Sequence, residues 1–396
     1  MREPGVGHLR RRNMALWLMC VLLVVKCSVV SPQFVPPVRA AWLHSCTFPS
    51  IRFKGAVTWY TVDLDLPPSK RWAAIMMEKR SDVVKMIDEI KDLADALVPS
   101  GKLIDLPLIV DTLPYPFNEE LRGVAAASGV PLGEIALFNL FYEVFTVCTS
   151  IVAEDTTGNL IHARNLDFGL FLGWDVKNKS WLITEKLKPL VVNVDFRRKN
   201  STVFKSTSFA GYVGILTGIR PHAFTLTINE RFSIDGGYIG ILEWLLHHRD
   251  AMWMGFLTRS VLENATSYEE AKNSLSQTKL LAPAYYILGG NQTGQGCIIT
   301  RSRTESLINL KMNRWYVLET NYDHWKDPLF LDDRRTPAMK CMNQTTQANI
   351  SIKTMYDVLS TKPVLNKLTT YTTMMEASTG KLEAYIRDCP SPCMPW

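Results

Sequence analysis

Beyond residue 25 the 396-residue sequence has no apolar run approaching the roughly 20 residues that cross a bilayer as a helix. It also lacks a CxxC pair or any Cys/His cluster with zinc-ligand spacing, which leaves a bound zinc without an evident donor set. There is no βαβ repeat and no glycine-rich dinucleotide fingerprint, so a doubly wound nucleotide-binding fold is not indicated. Positive charge is not concentrated. Residues 1–40 hold six Lys/Arg against one acid, residues 41–147 ten against fourteen, and residues 148–396 twenty-eight against twenty-three. From residue 41 onward the net charge is only +1, which offers nucleic acid no basic face. The scattered +5 of residues 148–396 suits a solvated exterior or a weak attraction to anionic lipid. No histidine stands in a papain-like setting beside a cysteine.

What is present begins with Arg10, Arg11 and Arg12, then the apolar run "ALWLMCVLLVV" at 15–25, then a segment broken by small residues and prolines. This is the layout of a secretory signal peptide cleaved between about residues 28 and 41, a signal anchor being the alternative and Met14 a second start. Of the eight cysteines, Cys20 and Cys27 would leave with that leader, and Cys46, Cys148, Cys297, Cys341, Cys389 and Cys393 would remain. "CPSPC" at 389–393 reads as a small disulfide loop in an oxidising compartment. Six N-x-S/T sequons begin at Asn178, Asn200, Asn264, Asn291, Asn343 and Asn349, and none precedes Cys148. Six sequons behind a signal peptide indicate an N-glycosylated lumenal protein.

Residues 72–98 place Val83, Met86, Ile87, Ile90, Leu93, Ala94 and Leu97 at three- and four-residue steps, an amphipathic helix that packs on its own domain or lies on a membrane. "NEELRGVAAASG" and "PLGEIALFNLFYEVF" predict two more helices leading to Cys148. After Cys148 the texture turns β-rich. "TSIVAED" and "LIHARNLDF", joined by Thr156–Asn159, predict a hairpin. "WLITEKLKPLVVNVDF", "STVFKSTSFAGYVGILTG" and "AFTLTINERF" read as further strands. Helices are expected in "GGYIGILEWLLHH", "AMWMGFLTRSVLEN" and "SYEEAKNSLSQT", the last with Ser267 and Glu270 in capping-box spacing. "AYYILGGNQTGQGCIITRSR" and "RWYVLETNYD" return to strand, and 349–361 to helix. Blocks of helices and strands predict an α+β layered domain.

Three readings of Cys148 stay open on residue chemistry alone: a small buried hydrophobe, half of a disulfide, or a nucleophile. A free thiol with a pKa of about 8.5 needs a cation or base beside it to act as one. Cleavage between Val147 and Cys148 would supply the base, because the new α-amino group titrates near 7.7–8.0.

The run "CTSIVAEDTTGNLIHARNLDFG" resembles the N-terminal nucleophile hydrolases of the choloylglycine-hydrolase superfamily, which open with Cys and carry an R-N-x-D hairpin. "FAGYVGILTG", "TINERFS", "APAYYILGGNQ", "ETNYDHWKDPLFLDDRRTPA" and the terminal "RDCPSPCMPW" are similar to the branch that acts on ceramide. "NYDHWK" and "TTQANIS" are similar to a sister branch acting on N-acylethanolamines. The resemblance implies an αββα sandwich with an additional helical N-terminal subunit. Residues 1–40 would be leader, 41–147 a mostly helical α-subunit covering the site in the precursor, and 148–396 the catalytic β-subunit.

The same resemblance implies the roles. Cys148 would be the self-exposed nucleophile, Arg164 the cation holding its thiolate, and Asp167 the carboxylate orienting the α-amine. Asn321 would be an oxyanion donor, Arg334 or its neighbour Arg335 a second arginine of the site, and Glu230 a backbone N–H donor to the oxyanion. Taken without the resemblance, Arg164, Asp167 and Arg334 read equally as a structural ion-pair network. Arg164 and Arg334 would together lower the thiol and amine pKa values. Disulfides Cys46–Cys341, linking the two subunits, and Cys389–Cys393 are implied, with Cys297 a buried free thiol. No cofactor is implied. The implied partners are ceramide and related N-acyl lipids, an anionic membrane surface and a saposin-type activator protein, and the implied location is the lysosome with partial secretion. The alternatives are N-acylethanolamine hydrolysis, or a secreted lipid-binding glycoprotein without chemistry.

Overall fold

The computed structural model describes residues 46, 55–97, 110–141, 146–168, 173–232, 240, 243–244, 249–312, 314–393 and 395. Strand β1 (Trp59–Asp63) precedes helices α1 (Ala73–Leu97), α2 (Phe117–Ser128) and α3 (Leu132–Phe141). Then follow β2 (Thr146–Glu154), β3 (Leu160–Phe168), the short β4 (Trp174–Asp175) and β5 (Ser180–Trp181), and α4 (Leu182–Leu187). Next are β6 (Val191–Arg198), β7 (Ser201–Phe209), β8 (Thr217–Arg220), β9 (Phe224–Glu230), α5 (Met254–Asn264) and α6 (Tyr268–Gln277). The chain ends through β10 (Ala284–Gly290), β11 (Gly296–Arg301), β12 (Ser306–Lys311), β13 (Tyr316–Glu319), α7 (Arg335–Thr345), α8 (Ile352–Leu359), β14 (Thr369–Glu376) and β15 (Lys381–Ile386).

The strands form an eight-stranded sheet, ordered β1-β6-β7-β8-β9-β10-β11-β12, and a five-stranded sheet, ordered β13-β2-β3-β14-β15. The two sheets stack, and Val152, Leu160, Tyr285, Ile287, Ile298 and Val317 fill part of the space between them. Period-two alternation on β2 and β3 sends Ile151, Ala153, Ile161 and Ala163 the other way, onto Ala338, Met342, Met355 and Val358 of α7 and α8. Residues of α1, α2, α5 and α6 share one apolar cluster with β6, β7 and β9 of the large sheet. The layers are therefore helix, sheet, sheet, helix, the αββα class implied by the sequence.

The β2–β3 hairpin closes where it is predicted to. Asp155 Oδ1 accepts the N–H groups of Thr157 and Asn159, and Gly158 takes the left-handed φ of 85° that the turn requires. Ser267 caps α6 by accepting Glu270 N–H at 3.2 Å, but the Glu270 carboxylate turns to Thr266 N–H at 2.7 Å, so only half of the expected box forms.

In α1, Val83, Met86, Ile87 and Ile90 are buried against neighbouring elements, so this part of its apolar stripe is used in packing and is not free for a membrane. The side chains of Leu93, Ala94 and Leu97 lie outside the described residues, as do most of the helix expected at "GGYIGILEWLLHH" and residues 142–145. "WLITEKLKPLVVNVDF" is corrected: residues 182–187 are helical and the strand starts at Val191. "STVFKSTSFAGYVGILTG" divides into β7 and β8 around a non-strand segment. Strand β1 pairs in parallel with β6 and extends the large sheet, so residues before Cys148 are woven into the same layers.

Cys46 is bonded to Cys341 and Cys389 to Cys393, while Cys148 and Cys297 are free and buried. All six sequon asparagines are exposed. Among the described residues no helix is long and apolar enough to cross a membrane.

Candidate active site

Cys148 lies on β2 with no exposed surface, and the strand runs through the Val147–Cys148 bond, with Val147 paired to Asp167 and Cys148 to Leu166. Paired residues of an antiparallel ladder share a face. Cys148 and Ser150 therefore share theirs with Arg164 and His162, towards the large sheet, whereas Thr149 shares its face with Asn165, on the side of α7 and α8. The three-residue step from Arg164 to Asp167 consequently places these two side chains on opposite faces of β3. The hairpin does not gather them into one cluster by itself; other elements complete each side.

On the inner face, Arg164 Nη2 donates a hydrogen bond to the Cys148 thiol. Its Nη1 donates to Leu216 O at 2.7 Å and to Thr217 Oγ1 at 2.8 Å, and Thr217 Oγ1 lies 2.9 Å from the Tyr371 hydroxyl. The guanidinium is thus held by β8 and β14 while it faces sulfur. Arginine suits this place because its planar fork serves several acceptors and it does not lose its charge.

On the other face, Arg334 collects the backbone of the nucleophile. Its Nη1 donates to Cys148 O at 2.6 Å and Thr149 Oγ1 at 3.2 Å, and lies 3.4 Å from Asp167 Oδ2. Its Nη2 donates to Asn321 Oδ1 at 2.9 Å and Asp332 Oδ2 at 3.0 Å, and its Nε to Asp332 Oδ1 at 2.7 Å. Arg335 instead donates to the carbonyl oxygens of Tyr322, Asp323 and Lys326. The choice between the two arginines left open by the sequence is resolved in favour of Arg334 as the one in contact with Cys148.

Asn321 bridges the faces. Its Oδ1 accepts Cys148 N–H at 2.8 Å, and its Nδ2 donates to Glu230 O at 2.7 Å. Asn321 therefore acts on Cys148 as an acceptor, not as the expected oxyanion donor, and Glu230 meets it through its carbonyl rather than its N–H. Asp167 is held by Arg334 and by Asn366 Nδ2 at 3.4 Å, and its Oδ1 has no hydrogen-bond partner among the described residues.

Burial dominates the electrostatics. It pushes the Cys148 thiol up to about 11, against the pull of Arg164 and Arg334, with Asp167 adding to the rise. The two arginines do pull the thiol down as expected, but removal from water outweighs them. Burial likewise raises Asp167 to about 6, opposed first by Arg334. Beside the site, burial raises Glu319 to about 8 and lowers His162 to about 3.

Sequence reasoning did not find Asp332, Asn366, Thr217 or Tyr371. Asp332 had a signal, standing two positions before Arg334 in "DDRR". The others come from segments with no local motif.

A thiol with a fixed cation on sulfur, an acceptor on its nitrogen and a donor on its carbonyl is arranged for nucleophilic attack on an acyl group. Comparison with known proteins agrees with this chemistry. Residues 148–387 match the model of linear amide C–N hydrolases of the choloylglycine hydrolase family, a match that begins at Cys148. Residues 55–107 match the model of the beta subunit of N-acylethanolamine-hydrolyzing acid amidase. The chain is 58% identical over 394 residues to acid ceramidase of Homo sapiens, covering 95% of this chain and 99% of that one. To acid ceramidase of Mus musculus it is 54% identical over 402 residues, covering 98% and 100%. The solved Caenorhabditis elegans N-acylethanolamine-hydrolyzing acid amidase ortholog superposes with a TM-score of 0.52 at 33% identity, covering 61% of this chain and all of that one.

Proposed function

We propose that this chain, which belongs to the choloylglycine hydrolase family of linear amide C–N hydrolases, cleaves the amide bond of ceramide into sphingosine and a free fatty acid. The observation that carries the reading is the Arg164 guanidinium on the Cys148 thiol, at the residue where the family match begins. Relatives named for ceramide at 54–58% identity favour that substrate over an N-acylethanolamine, for which the structural likeness falls to 33% identity.

The uncut chain is a zymogen in this reading. With Thr146 and Val147 paired in the sheet and Cys148 fully buried, no substrate carbonyl reaches sulfur. Cys148 Sγ attacks the Val147 carbonyl carbon. The S–C bond forms, the C–N bond breaks, and the thiol proton ends on the nitrogen of Cys148. Water then opens the thioester, giving a Val147 carboxylate, a free thiol and an α-amine. That amine is born beside Asn321 Oδ1, with the unpartnered Asp167 Oδ1 as a further acceptor.

In turnover the thiolate, favoured by Arg164, attacks the ceramide carbonyl. The α-ammonium delivers a proton to the leaving nitrogen, sphingosine departs, and water hydrolyses the acyl thioester. Asn321 Nδ2 becomes an oxyanion donor once released from Glu230 O. Residues 41–147 and 148–396 then form the two subunits, joined by Cys46–Cys341. Exposed Trp325, Leu329 and Leu331 after Asn321, and Phe232 on the segment bonded to it, support contact with a lipid surface, and the anionic character of that surface and a saposin-type helper belong to the same proposal. A lysosomal location, with partial secretion, fits acid-driven processing.

The test is to incubate purified precursor in acid buffer with protease inhibitors and to sequence the new N-terminus. It begins Cys148-Thr149-Ser150, forms at a rate independent of protein concentration, and accompanies hydrolysis of N-acylsphingosine. Cleavage or full turnover by Cys148→Ala would overturn the assignment, and an unreactive internal Cys148 would favour a lipid-binding glycoprotein.

A further inference from the structure

Asn229 is wholly buried on β9, and its amide is saturated. Nδ2 donates to Glu319 O at 3.1 Å and to Thr320 O at 2.8 Å, which uses both of its hydrogens. Oδ1 accepts from Ser150 Oγ at 3.0 Å, Ser150 Oγ accepts from Thr227 Oγ1 at 2.9 Å, and His162 Nε2 lies 3.1 Å from Thr227 Oγ1. The amide cannot be flipped, because its oxygen would then face two carbonyl oxygens. The end of β9 therefore grips the Asn321 segment at successive points. Asn229 holds the carbonyls of residues 319 and 320, Glu230 O holds Asn321 Nδ2, and Phe232 N–H reaches Asn321 O at 3.5 Å.

Neither side of this grip belongs to the hairpin that carries the nucleophile. Two ties lead back to it: β13 pairs with β2, Glu319 opposite Ser150, and Ser150, two residues after Cys148 on the same face, donates to Asn229 Oδ1. The β13–β2 ladder fixes the chain only as far as Glu319 opposite Ser150, and Arg334 touches both Cys148 O and Asn321 Oδ1; the side-chain bridge from β2 through Asn229 adds the hold on Glu319 O and Thr320 O, where the chain leaves the ladder just before Asn321.

We infer that Asn229 is a positioning residue for the reaction, holding Asn321 in register with Cys148 in both self-cleavage and turnover. It touches neither substrate nor sulfur. The inference rests on the amide-hydrolysing reading above. A displacement of about 1 Å at a reacting group is enough to cost on the order of 100-fold in rate.

Asn229→Asp separates positioning from bulk. It keeps the shape but replaces the donor nitrogen with oxygen. As a carboxylate it repels the Glu319 and Thr320 carbonyls, while as a neutral acid it donates one hydrogen bond to them. Asn229→Leu keeps the approximate volume and cannot donate at any pH. Self-cleavage rate and N-acylsphingosine hydrolysis are measured for both and divided by the parent value at each pH, which removes the titrations of Cys148, Asp167, Glu319 and His162 common to all three.

For Asn229→Leu, kcat and self-cleavage fall by roughly 10- to 100-fold with KM little changed. For Asn229→Asp the deficit is similar at neutral pH and shrinks as the pH falls. Ser150→Ala, which frees Oδ1 but leaves both carbonyl bonds, gives a smaller loss, and decides the matter together with the Asp variant if the Leu variant does not fold. A deficit confined to KM, equal pH-independent losses in Asp and Leu variants, or parent-like rates throughout would overturn the inference. A parent that neither cuts itself nor hydrolyses the lipid would overturn the reading beneath it instead.

Discussion

Arg334 donates to the carbonyl oxygen of Cys148 at 2.6 Å while its side chain is clamped by both oxygens of Asp332. The next residue, Arg335, turns to backbone carbonyls of the 322–326 loop. Adjacent arginines at the start of one helix thus have separate tasks. Arg334→Lys removes the fork that reaches Cys148, Asn321 and Asp332 together, and should lower self-cleavage and turnover by ~100-fold or more. Arg335→Lys should mainly lower thermal stability, with activity within ~10-fold. Single-turnover rates and melting curves for the two variants check this.

The N-terminal portion is joined to the rest by a second buried group. Glu120, with no exposed surface, accepts from Arg259 Nη2 at 2.7 Å, Arg71 Nη1 at 2.9 Å and Trp72 Nε1 at 2.6 Å, and Arg259 also packs over the rings of Phe117 and Phe196. Glu120→Ala leaves the buried Arg259 guanidinium with Glu263 as its remaining carboxylate and should cost about 2–3 kcal/mol, below the ~3–5 kcal/mol of a fully unpaired buried charge, in urea unfolding of an uncuttable Cys148→Ala background. Replacing both Glu120 and Arg259 with Met should cost less than Glu120→Ala alone.

After cleavage, non-reducing electrophoresis should give one covalently linked species and reducing electrophoresis two. Under native conditions with reductant, the two pieces should still comigrate in gel filtration. The β1–β6 ladder and the Glu120–Arg259 pair continue to hold them. Separation of reduced, native subunits would contradict this.

Glu319 predicts a pH effect on the fold. Its raised value, near 8, means the folded chain keeps this proton after the unfolded chain, near 4.5, has released it. Stability from this group is therefore greatest at low pH and is lost as the pH climbs from about 4.5 to 8. Asp167 contributes in the same direction below about 6, whereas His162, held neutral by burial and by Arg164, costs stability as pH falls below 6.5. Above 6.5 the slope from Glu319 remains, so Glu319→Gln in the Cys148→Ala background should flatten the fall in Tm between pH 6.5 and 8. An unchanged slope would show that Glu319 is not protonated in the fold.

The sequence by itself determined much of this protein. Alternation, a turn built on Asp155 and Gly158, and three-residue apolar steps in α1 are local properties, and each produced its element where expected. The multi-block resemblance carried the αββα class and pointed to Cys148, Arg164, Asp167, Asn321, Glu230 and Arg334. What the sequence did not determine were the pairings that burial and distant strands impose. A three-residue step on a strand puts Arg164 and Asp167 on opposite faces, and only β8, β14, Asn366 and the Arg334 segment complete each side. Residues 182–187 turned helical against a β-like apolar composition, since short apolar runs do not distinguish strand from helix. Whether Arg334 or Arg335 reaches Cys148, which atom of Glu230 meets Asn321, and how Asn229 ties β2 to residue 320 depend on contacts between segments some 80 to 190 positions apart. No local pattern encodes such contacts, because their energy exists only once the layers have closed and excluded water.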